Sequence, residues 1–418
     1  MIRFEKISEE QKSMLDSLGN FVGDLLEDLF KTVKTKEISM DILEETSIDI
    51  DNVINKALSA GIAQYLGMFI SEKGAFPIKL NNVRLVIVEL ADKYMYKIKN
   101  LSKLMLIFRP LRIIPTVMGL AAIVAGLGMD ETVNKYVPKV LGGSIISWAI
   151  TEPDAGTNTH KITTTALLEG DHYRLNGQKV FITDAKDSEY MVVVAKVVSD
   201  GEYMGIRNIL VDPNSKGVSM TPMDIALTGD TQYNVYFDDV IVPKENLLAK
   251  GIVSKREAKE ISGGTFSTLN LERIFVATFA LALGRIIINK SIEYAKKRGL
   301  FENPTRVYQC LKHSLSRVKI KLESANLIAQ RAAEAYDTGE DLGLVGVYAN
   351  MAKLTASEAV NEACEIAMDI HGSYGFLMES DLVTLMPAAR VLSVAPINNE
   401  MVLNYLGEHL LGLPKSYR

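Results

Sequence analysis

Several residue types that mark particular functions are scarce in this sequence of 418 residues. Only two cysteines occur, Cys310 and Cys364, and so few in so long a chain exclude a disulfide framework and favour a reducing compartment, here the cytoplasm. We expect both thiols to be small buried side chains. The five histidines lack the paired spacing that binds zinc or iron, so the sequence predicts no metal site.

An excess of charge of one sign is also missing. The formal net charge is -5, which gives no electrostatic reason to expect nucleic acid or an anionic membrane as a partner. The longest uncharged run, residues 113–129, contains a proline and three glycines and is marginal in length for a membrane span. We predict a buried core helix there, followed by a helix that Asp130 caps. No Gly-x-Gly-x-x-Gly motif follows a strand, which argues against a Rossmann fold.

The texture of the sequence changes twice along the chain. Residues 1–145 and 251–418 carry apolar residues at helical spacing, whereas residues 146–250 contain short alternating segments with turn signals between them. We therefore predict a mainly α-helical protein with an N-terminal all-helical domain, a middle β domain of the barrel or sandwich type and a C-terminal four-helix bundle. Gly263 and Gly264 are expected to form a linker that leads into the bundle.

The only tryptophan, Trp148, stands in the segment SWAITEPDAGTNTH, beside a tight turn rich in hydroxyl groups. An indole in this position either fills a core or stacks on a flat aromatic ligand. This segment and four others resemble, in the same order, the motifs of the acyl-CoA dehydrogenase family. The five segments are GLGMDETVNKYVPKVLGG, ITEPDAGTNT, LNGQKVFIT, FDDVIVPKENLL, and KRGLF with VYQCLK.

The resemblance implies an FAD site with residues of the middle domain around the flavin ring. It places Trp148 and Phe181 beside the isoalloxazine, and it implies that Thr151 and Thr183 donate hydrogen bonds near N5 and the pyrimidine ring. Thr157, where the family often has serine, would meet the CoA moiety of the substrate and the pyrophosphate region of FAD. Aromatic walls and a few placed donors suit the binding of a flavin.

A second group of residues matches family positions that reach the FAD of a neighbouring subunit. Arg298, Phe301 and Gln309 belong to it, and an arginine fork suits a pyrophosphate because it pairs two oxygens at once. The loop with Asp369 and Gly372 resembles the Gln-x-x-Gly-Gly-x-Gly loop of the family, although the aspartate replaces its glutamine. The resemblance thus implies a homotetramer, or at least a dimer, because neighbouring copies would share each site.

The position of the usual catalytic glutamate holds Pro396 in this chain. A proline has neither a carboxylate nor the peptide N–H that binds the thioester carbonyl in the family. Asn398 stands where the family has a threonine that touches FAD. Glu272 lies directly before Arg273, at the position from which the isovaleryl- and long-chain-type members draw their glutamate. The resemblance therefore implies Glu272 as the base, with Asn270, Arg273 and Thr157 contacting substrate.

The implied activity is FAD-dependent α,β-dehydrogenation of an acyl-CoA thioester in fatty acid metabolism. In the family a glutamate removes the α proton, hydride passes to flavin N5, and electrons leave through an electron-transferring flavoprotein. Burial of a carboxylate would raise its pKa and suit it to this task. Two other hypotheses stay open: an oxidase or monooxygenase reaction on the same fold, and a catalytically weak subunit of a hetero-oligomeric dehydrogenase.

Overall fold

The fold is given by a computed structural model. It describes residues 79–93, 95–97, 113–141, 144–225, 231–248, 255–300 and 303–416, together with Glu9, Lys12 and Ser13. The predicted site residue Phe301 lies outside the described residues, as does most of the predicted N-terminal domain.

The described N-terminal part is helical. It contains α1 (Leu80–Lys93), α2 (Ile113–Leu127), α3 (Met129–Lys135) and α4 (Val137–Leu141). Helix α2 is the predicted core helix, and residues 116–123 are all buried. The prediction that Asp130 caps α3 is wrong, because the helix begins at Met129 and its N-cap is Gly128. Gly128 has a φ of 93°, a left-handed conformation that glycine adopts without steric cost.

A seven-stranded sheet forms the middle part. Its strands are β1 (Ile146–Ala149), β2 (Thr165–Glu169), β3 (His172–Thr183), β4 (Tyr190–Ser199), β5 (Glu202–Val211), β6 (Val218–Met223) and β7 (Gln232–Pro243). Strand β4 pairs with β5 along one edge and with both β1 and β2 along the other, and β3, β7 and β6 continue the sheet. Only β1 and β2 run parallel to β4, and the remaining pairs are antiparallel. The alternating sequence of this segment thus correctly predicts β structure.

Long helices return after the sheet. They are α5 (Lys255–Lys297), α6 (Gln309–Asp337), α7 (Leu342–His371), α8 (Leu382–Val394) and α9 (Asn399–His409), and a short hairpin of β8 (Gly299–Leu300) and β9 (Asn303–Pro304) separates α5 from α6. The predicted linker at Gly263 and Gly264 is wrong, because both glycines lie inside α5. The helix of 43 residues continues through both glycines despite their low helix propensity.

Three apolar cores hold these parts together. One lies within the bundle and one within the sheet, and the third joins α2, β1, β4 and β5 to α5, α6 and α7. Cys364 is buried in the bundle core as predicted, whereas Cys310 is exposed, so the prediction for Cys310 is wrong. It lies in the first turn of α6, where the chain leaves the exposed hairpin. None of the helices described here is long and apolar enough to cross a membrane.

Candidate flavin and substrate site

Strand β1 holds Trp148 at the junction between the sheet and the helices. All four residues of β1 are buried, and a Cβ atom at Gly119 would lie 2.2 Å from Cγ2 of Ile146, so α2 packs directly onto this strand. Trp148 is 8% exposed and belongs to the apolar core that also contains Leu271 and Ile274 of α5. Its Nε1–H is buried and meets no acceptor in the part of the chain that the structure describes. A buried donor without an acceptor costs free energy, so this indole suits a site that a ligand completes.

A buried ion pair braces the turn that follows Trp148. Nζ of Lys179 on β3 lies 2.8 Å from Oε1 of Glu152, and the same ammonium donates to the carbonyl of Ile150 at 2.9 Å. Glu152 also accepts hydrogen bonds from Thr163 and Thr164. Burial favours the neutral acid, but these donors outweigh it and lower the pKa of Glu152 to about 2. This pair was not predicted from the sequence, because β3 contains several polar residues and its pattern does not show that Lys179 alone among them is fully buried.

Strand β3 also carries the exposed aromatic ring of the site. Phe181 is 57% exposed and has a φ of 58°, at an irregularity in the pairing of β3 with β7. A large residue rarely adopts this left-handed backbone. Two residues on, Thr183 exchanges hydrogen bonds with Gln232 of β7. The carbonyl of Thr183 accepts from Ser147, the neighbour of Trp148, at 3.0 Å. The predicted ring contacts on β1 and β3 are therefore adjacent in space.

Thr157 and Asn398 meet although 241 residues separate them in the chain. Asn398 is the N-cap of α9, where its side-chain oxygen accepts from the N–H of Met401 at 2.8 Å. Its Nδ2 donates to Oγ1 of Thr157 at 3.3 Å. The middle β segment and the loop between α8 and α9 are thus joined at two residues that the sequence assigned to the same site. Thr151 lies nearby in the chain, and its carbonyl accepts from the N–H of Val180.

Helix α5 presents a polar group inside the helical bundle. Asn270 and Arg273 are both 8% exposed, and Nη1 of Arg273 donates to Oδ1 of Asn270 at 3.1 Å. Nε of Arg273 is buried without an acceptor among the described residues. A Cβ atom at Gly346 of α7 would lie 2.5 Å from the Tyr405 hydroxyl, so this glycine lets α9 approach the same point.

Glu272 lies between these two residues on α5. Its side chain is partly buried and accepts no hydrogen bond from a residue that the structure describes. Burial raises its pKa to about 7, and the positive charge of Arg273 opposes the rise. A carboxylate that is ready to take or return a proton near neutral pH has this property. The raised pKa of Glu272 therefore suits general acid–base chemistry.

The second predicted group lies at the other end of α5. Tyr294 stacks on His371 with 4.1 Å between ring centroids, which brings the end of α7 beside the end of α5. Arg298 follows one turn after Tyr294, and its guanidinium makes no hydrogen bond or ion pair with other described residues. Gln309, Asp369 and Gly372, also part of this group, are exposed. Arg298 lies 26 residues beyond Glu272, which corresponds to about 39 Å along a helix.

Comparisons with known proteins agree with this arrangement. Residues 147–240 match the family model described as "Acyl-CoA dehydrogenase, middle domain", and residues 265–411 match "Acyl-CoA dehydrogenase, C-terminal domain". The acyl-CoA dehydrogenase FadE12 of Mycobacterium tuberculosis is 36% identical over 299 residues, which cover 71% of this chain and 75% of that protein. The chain belongs to the acyl-CoA dehydrogenase family.

Two further relatives of this family member are informative. The caffeyl-CoA reductase-Etf complex subunit CarC of Acetobacterium woodii is 33% identical over 270 residues, 64% of this chain and 69% of that one. The structure of a glutaryl-coenzyme A dehydrogenase in complex with glutaryl-CoA superposes with a TM-score of 0.77 at 22% identity, covering 100% of this chain and 98% of the other. The latter match confirms the predicted fold, with helices on both sides of a β domain.

Members of the acyl-CoA dehydrogenase family are flavoproteins, and the residues of this chain fit that group. Among the residues that the structure describes, the indole donor of Trp148 has no acceptor, Phe181 on β3 is exposed, and the guanidinium of Arg298 has no partner; an aromatic ring with a phosphate tail would use these features. In the described ranges no three side chains of His, Cys, Asp or Glu cluster as a metal site would require.

Proposed function

We propose that this member of the acyl-CoA dehydrogenase family binds FAD and removes two hydrogens from the α and β carbons of an acyl-CoA thioester. Electrons then pass to an electron-transferring flavoprotein. The observation that carries the proposal is Glu272 of α5, which lies directly before the buried Arg273 and whose pKa burial raises to about 7. Among the residues described, it is the acid whose environment best suits proton removal from a weakly acidic carbon.

Each part of the site has a role in this reaction. Trp148 and Phe181 would flank the ring of FAD, and Thr183 and Thr151 would present hydroxyl groups at its edge. Thr157 and Asn398 would contact the region between the flavin and the CoA moiety, where the two segments of the chain meet. Asn270 and Arg273 would bind the substrate near the base. When bound, FAD supplies the hydride acceptor.

The FAD of a neighbouring copy would contact the second group of residues, which consists of Arg298, Phe301, Gln309, Asp369 and Gly372. The separation of about 39 Å along α5 supports this assignment, because one cofactor would have to span most of the helix to touch both groups. A homotetramer, or at least a dimer, is therefore part of the proposal.

The same residue would serve the reaction in either direction. A carboxyl group with a pKa near 7 is partly protonated at neutral pH, so Glu272 could also return a proton during reduction of a double bond. The relative CarC carries the name of a reductase in a complex with Etf, which favours this reversal as the second candidate and supports an electron-transferring flavoprotein as partner.

The test is anaerobic flavin reduction by a panel of acyl-CoAs. The wild-type protein is expected to bleach its flavin with at least one of them. Glu272→Gln, which keeps the size and removes the base, is expected to retain FAD and lose bleaching.

A matched control is Glu340→Gln, because Glu340 is a partly exposed acid in the turn between α6 and α7 that pairs with Arg331. It should bleach at the wild-type rate. Oxygen consumption in air, with no reduction of an added electron-transferring flavoprotein, would favour an oxidase instead. Bleaching of Glu272→Gln at the wild-type rate would show that the base is another residue.

A further inference from the structure

One buried lysine binds both ends of the loop between α8 and α9 by hydrogen bonds. Lys353 of α7 is 0% exposed, and its ammonium donates to the carbonyls of Ser393 and Ile397 at 3.1 and 2.7 Å and to Oδ1 of Asn399 at 2.7 Å. Burial lowers its pKa to about 8, and the nearby charge of Arg273 acts in the same direction. No carboxylate among the described residues pairs with it at ion-pair distance, so carbonyl and amide oxygens stabilise this charge.

Two more polar residues repeat at one-turn spacing on the same face of α7. Ser357 and Asn399 exchange hydrogen bonds at 3.1 to 3.2 Å. Asn361 donates to the carbonyl of Ala389 at 3.2 Å and to Oγ of Ser393 at 2.9 Å. Residues four apart on a helix face the same side, so the three form a ladder. We call Lys353, Ser357 and Asn361 the α7 ladder.

The position of Asn398 depends on this ladder. Its two chain neighbours, Ile397 and Asn399, both accept from Lys353. In a trans peptide the N–H points away from the C=O, so the N–H of Asn398 points away from Lys353 because the Ile397 carbonyl points toward it. Asn398 is thus fixed on both sides while its side chain reaches Thr157.

We propose that Lys353 is a positioning residue, which sets the segment of residues 393–399, from the end of α8 to the start of α9, so that Asn398 meets Thr157 and closes the flavin and substrate site. This inference rests on the proposed function for the role of that site. It explains how the loop keeps a defined place although Pro396 supplies no N–H of its own to hold it. A misplacement of about 1 Å at such a site can reduce a rate on the order of 100-fold.

The first measurement needs no flavin. Hydrogen exchange of the amides of residues 395–402 should accelerate about 10-fold in Lys353→Met, as expected when one or two hydrogen bonds are lost. The control is Lys290→Met, which removes the lysine that binds Asp381 at the other end of α8. It should leave these amides unchanged. Of the hydrogen bonds from the α7 ladder to this segment, Ser357→Ala removes only those with Asn399 and should give a smaller acceleration. This variant replaces Lys353→Met in the experiment if Lys353→Met does not fold.

The second measurement separates positioning from general destabilisation. In FAD-loaded protein, Lys353→Met should slow flavin reduction on the order of 100-fold. Thr157→Val removes the other end of the contact without touching α7, α8 or α9. If Lys353 acts through this contact, Lys353→Met in the Thr157→Val background should cost much less than it does alone, because effects within one network do not add. The affinity for FAD, measured in the same four proteins, should show the same pattern.

Unchanged exchange at residues 395–402 in both Lys353→Met and Ser357→Ala would overturn the proposal, whatever the activity. Fully additive effects of Lys353→Met and Thr157→Val would overturn it as well. A wild-type protein that no acyl-CoA reduces, but whose FAD affinity shows the non-additive pattern, would contradict the proposed function and support the role of Lys353.

Discussion

Lys179 and Glu152 form an ion pair in which both side chains are almost completely buried, with 2.8 Å between Nζ and Oε1. The pair ties β3 to the turn that leads from Trp148 to Thr157. Breaking a buried pair from one side leaves an uncompensated charge, whereas its removal from both sides does not.

The first prediction concerns the stability of this turn. Lys179→Met should lower the free energy of unfolding by about 3 to 5 kcal/mol, because Glu152 then stays buried without its cation. Urea unfolding would measure this. The double variant Lys179→Met, Glu152→Gln should regain a large part of the loss. Equal instability of the single and the double variant would contradict this view of the pair.

The second prediction is the acid dependence of the same contact. The pKa of Glu152 is lowered from 4.5 to about 2 in the folded protein, so its ionised form stabilises the fold above about pH 4.5. That contribution is lost as the pH falls from 4.5 toward 2. The stability difference between the wild type and Glu152→Gln should therefore shrink over this window. A constant difference across it would argue against a lowered pKa.

The third prediction is the pH dependence of flavin reduction. A base must be ionised to accept a proton, so the second-order rate constant of flavin reduction at low acyl-CoA, which reports the free protein, should rise with pH through about 7, the pKa of Glu272. Glu272→Gln should lower the rate on the order of 100- to 10,000-fold and abolish this rise. Stopped-flow bleaching at several pH values measures both. A rise that survives in Glu272→Gln would assign the titration to another group.

The fourth prediction separates two properties of Phe181. Both Phe181→Gly and Phe181→Ala remove the ring and should weaken FAD binding equally. Only glycine relieves the backbone at φ 58°, so the glycine variant should be more stable than the alanine variant by about 1 kcal/mol. Calorimetry of the two flavin-free proteins tests this difference, and equal stability would show that the backbone is not strained.

The fifth prediction concerns the far end of α5. Arg298→Ala should weaken retention of FAD on dilution, because it removes a cation proposed to bind phosphate oxygens. Arg306→Ala is the control, since Arg306 is also exposed on the hairpin but donates to the carbonyl of Lys296. Light scattering should show at least a dimer in all three proteins. A monomer that holds FAD tightly would contradict the shared site.

Much of the fold could be predicted from the sequence, because periodicity and turn residues are local signals. The change from helical to alternating texture near residue 146 marks the start of β1, and the uncharged run correctly predicts α2. The prediction of a linker at Gly263 and Gly264 was wrong, because it rested on local propensity, which is a weak guide within a long helix. Cys310 was wrongly placed in the core for a similar reason, since its exposure depends on where α6 begins.

The site is a harder case. A resemblance in motifs indicated Thr157 and Asn398 separately, but only the fold shows that they touch. Lys353 lies in no motif, and Lys179 lies inside the segment LNGQKVFIT, where nothing local marks it as half of an ion pair. A buried lysine is recognised by its partners, which lie 27 to 46 residues away along the chain. Such long-range pairing cannot be predicted from the local sequence.

The lone indole gives this protein a built-in optical probe. Because Trp148 is the only tryptophan, all indole emission arises from the point where the sheet meets the bundle. A flavin held beside it would quench that emission by energy transfer. Binding at the junction, and any loosening of it, can therefore be followed in the unlabelled protein without signals from other regions.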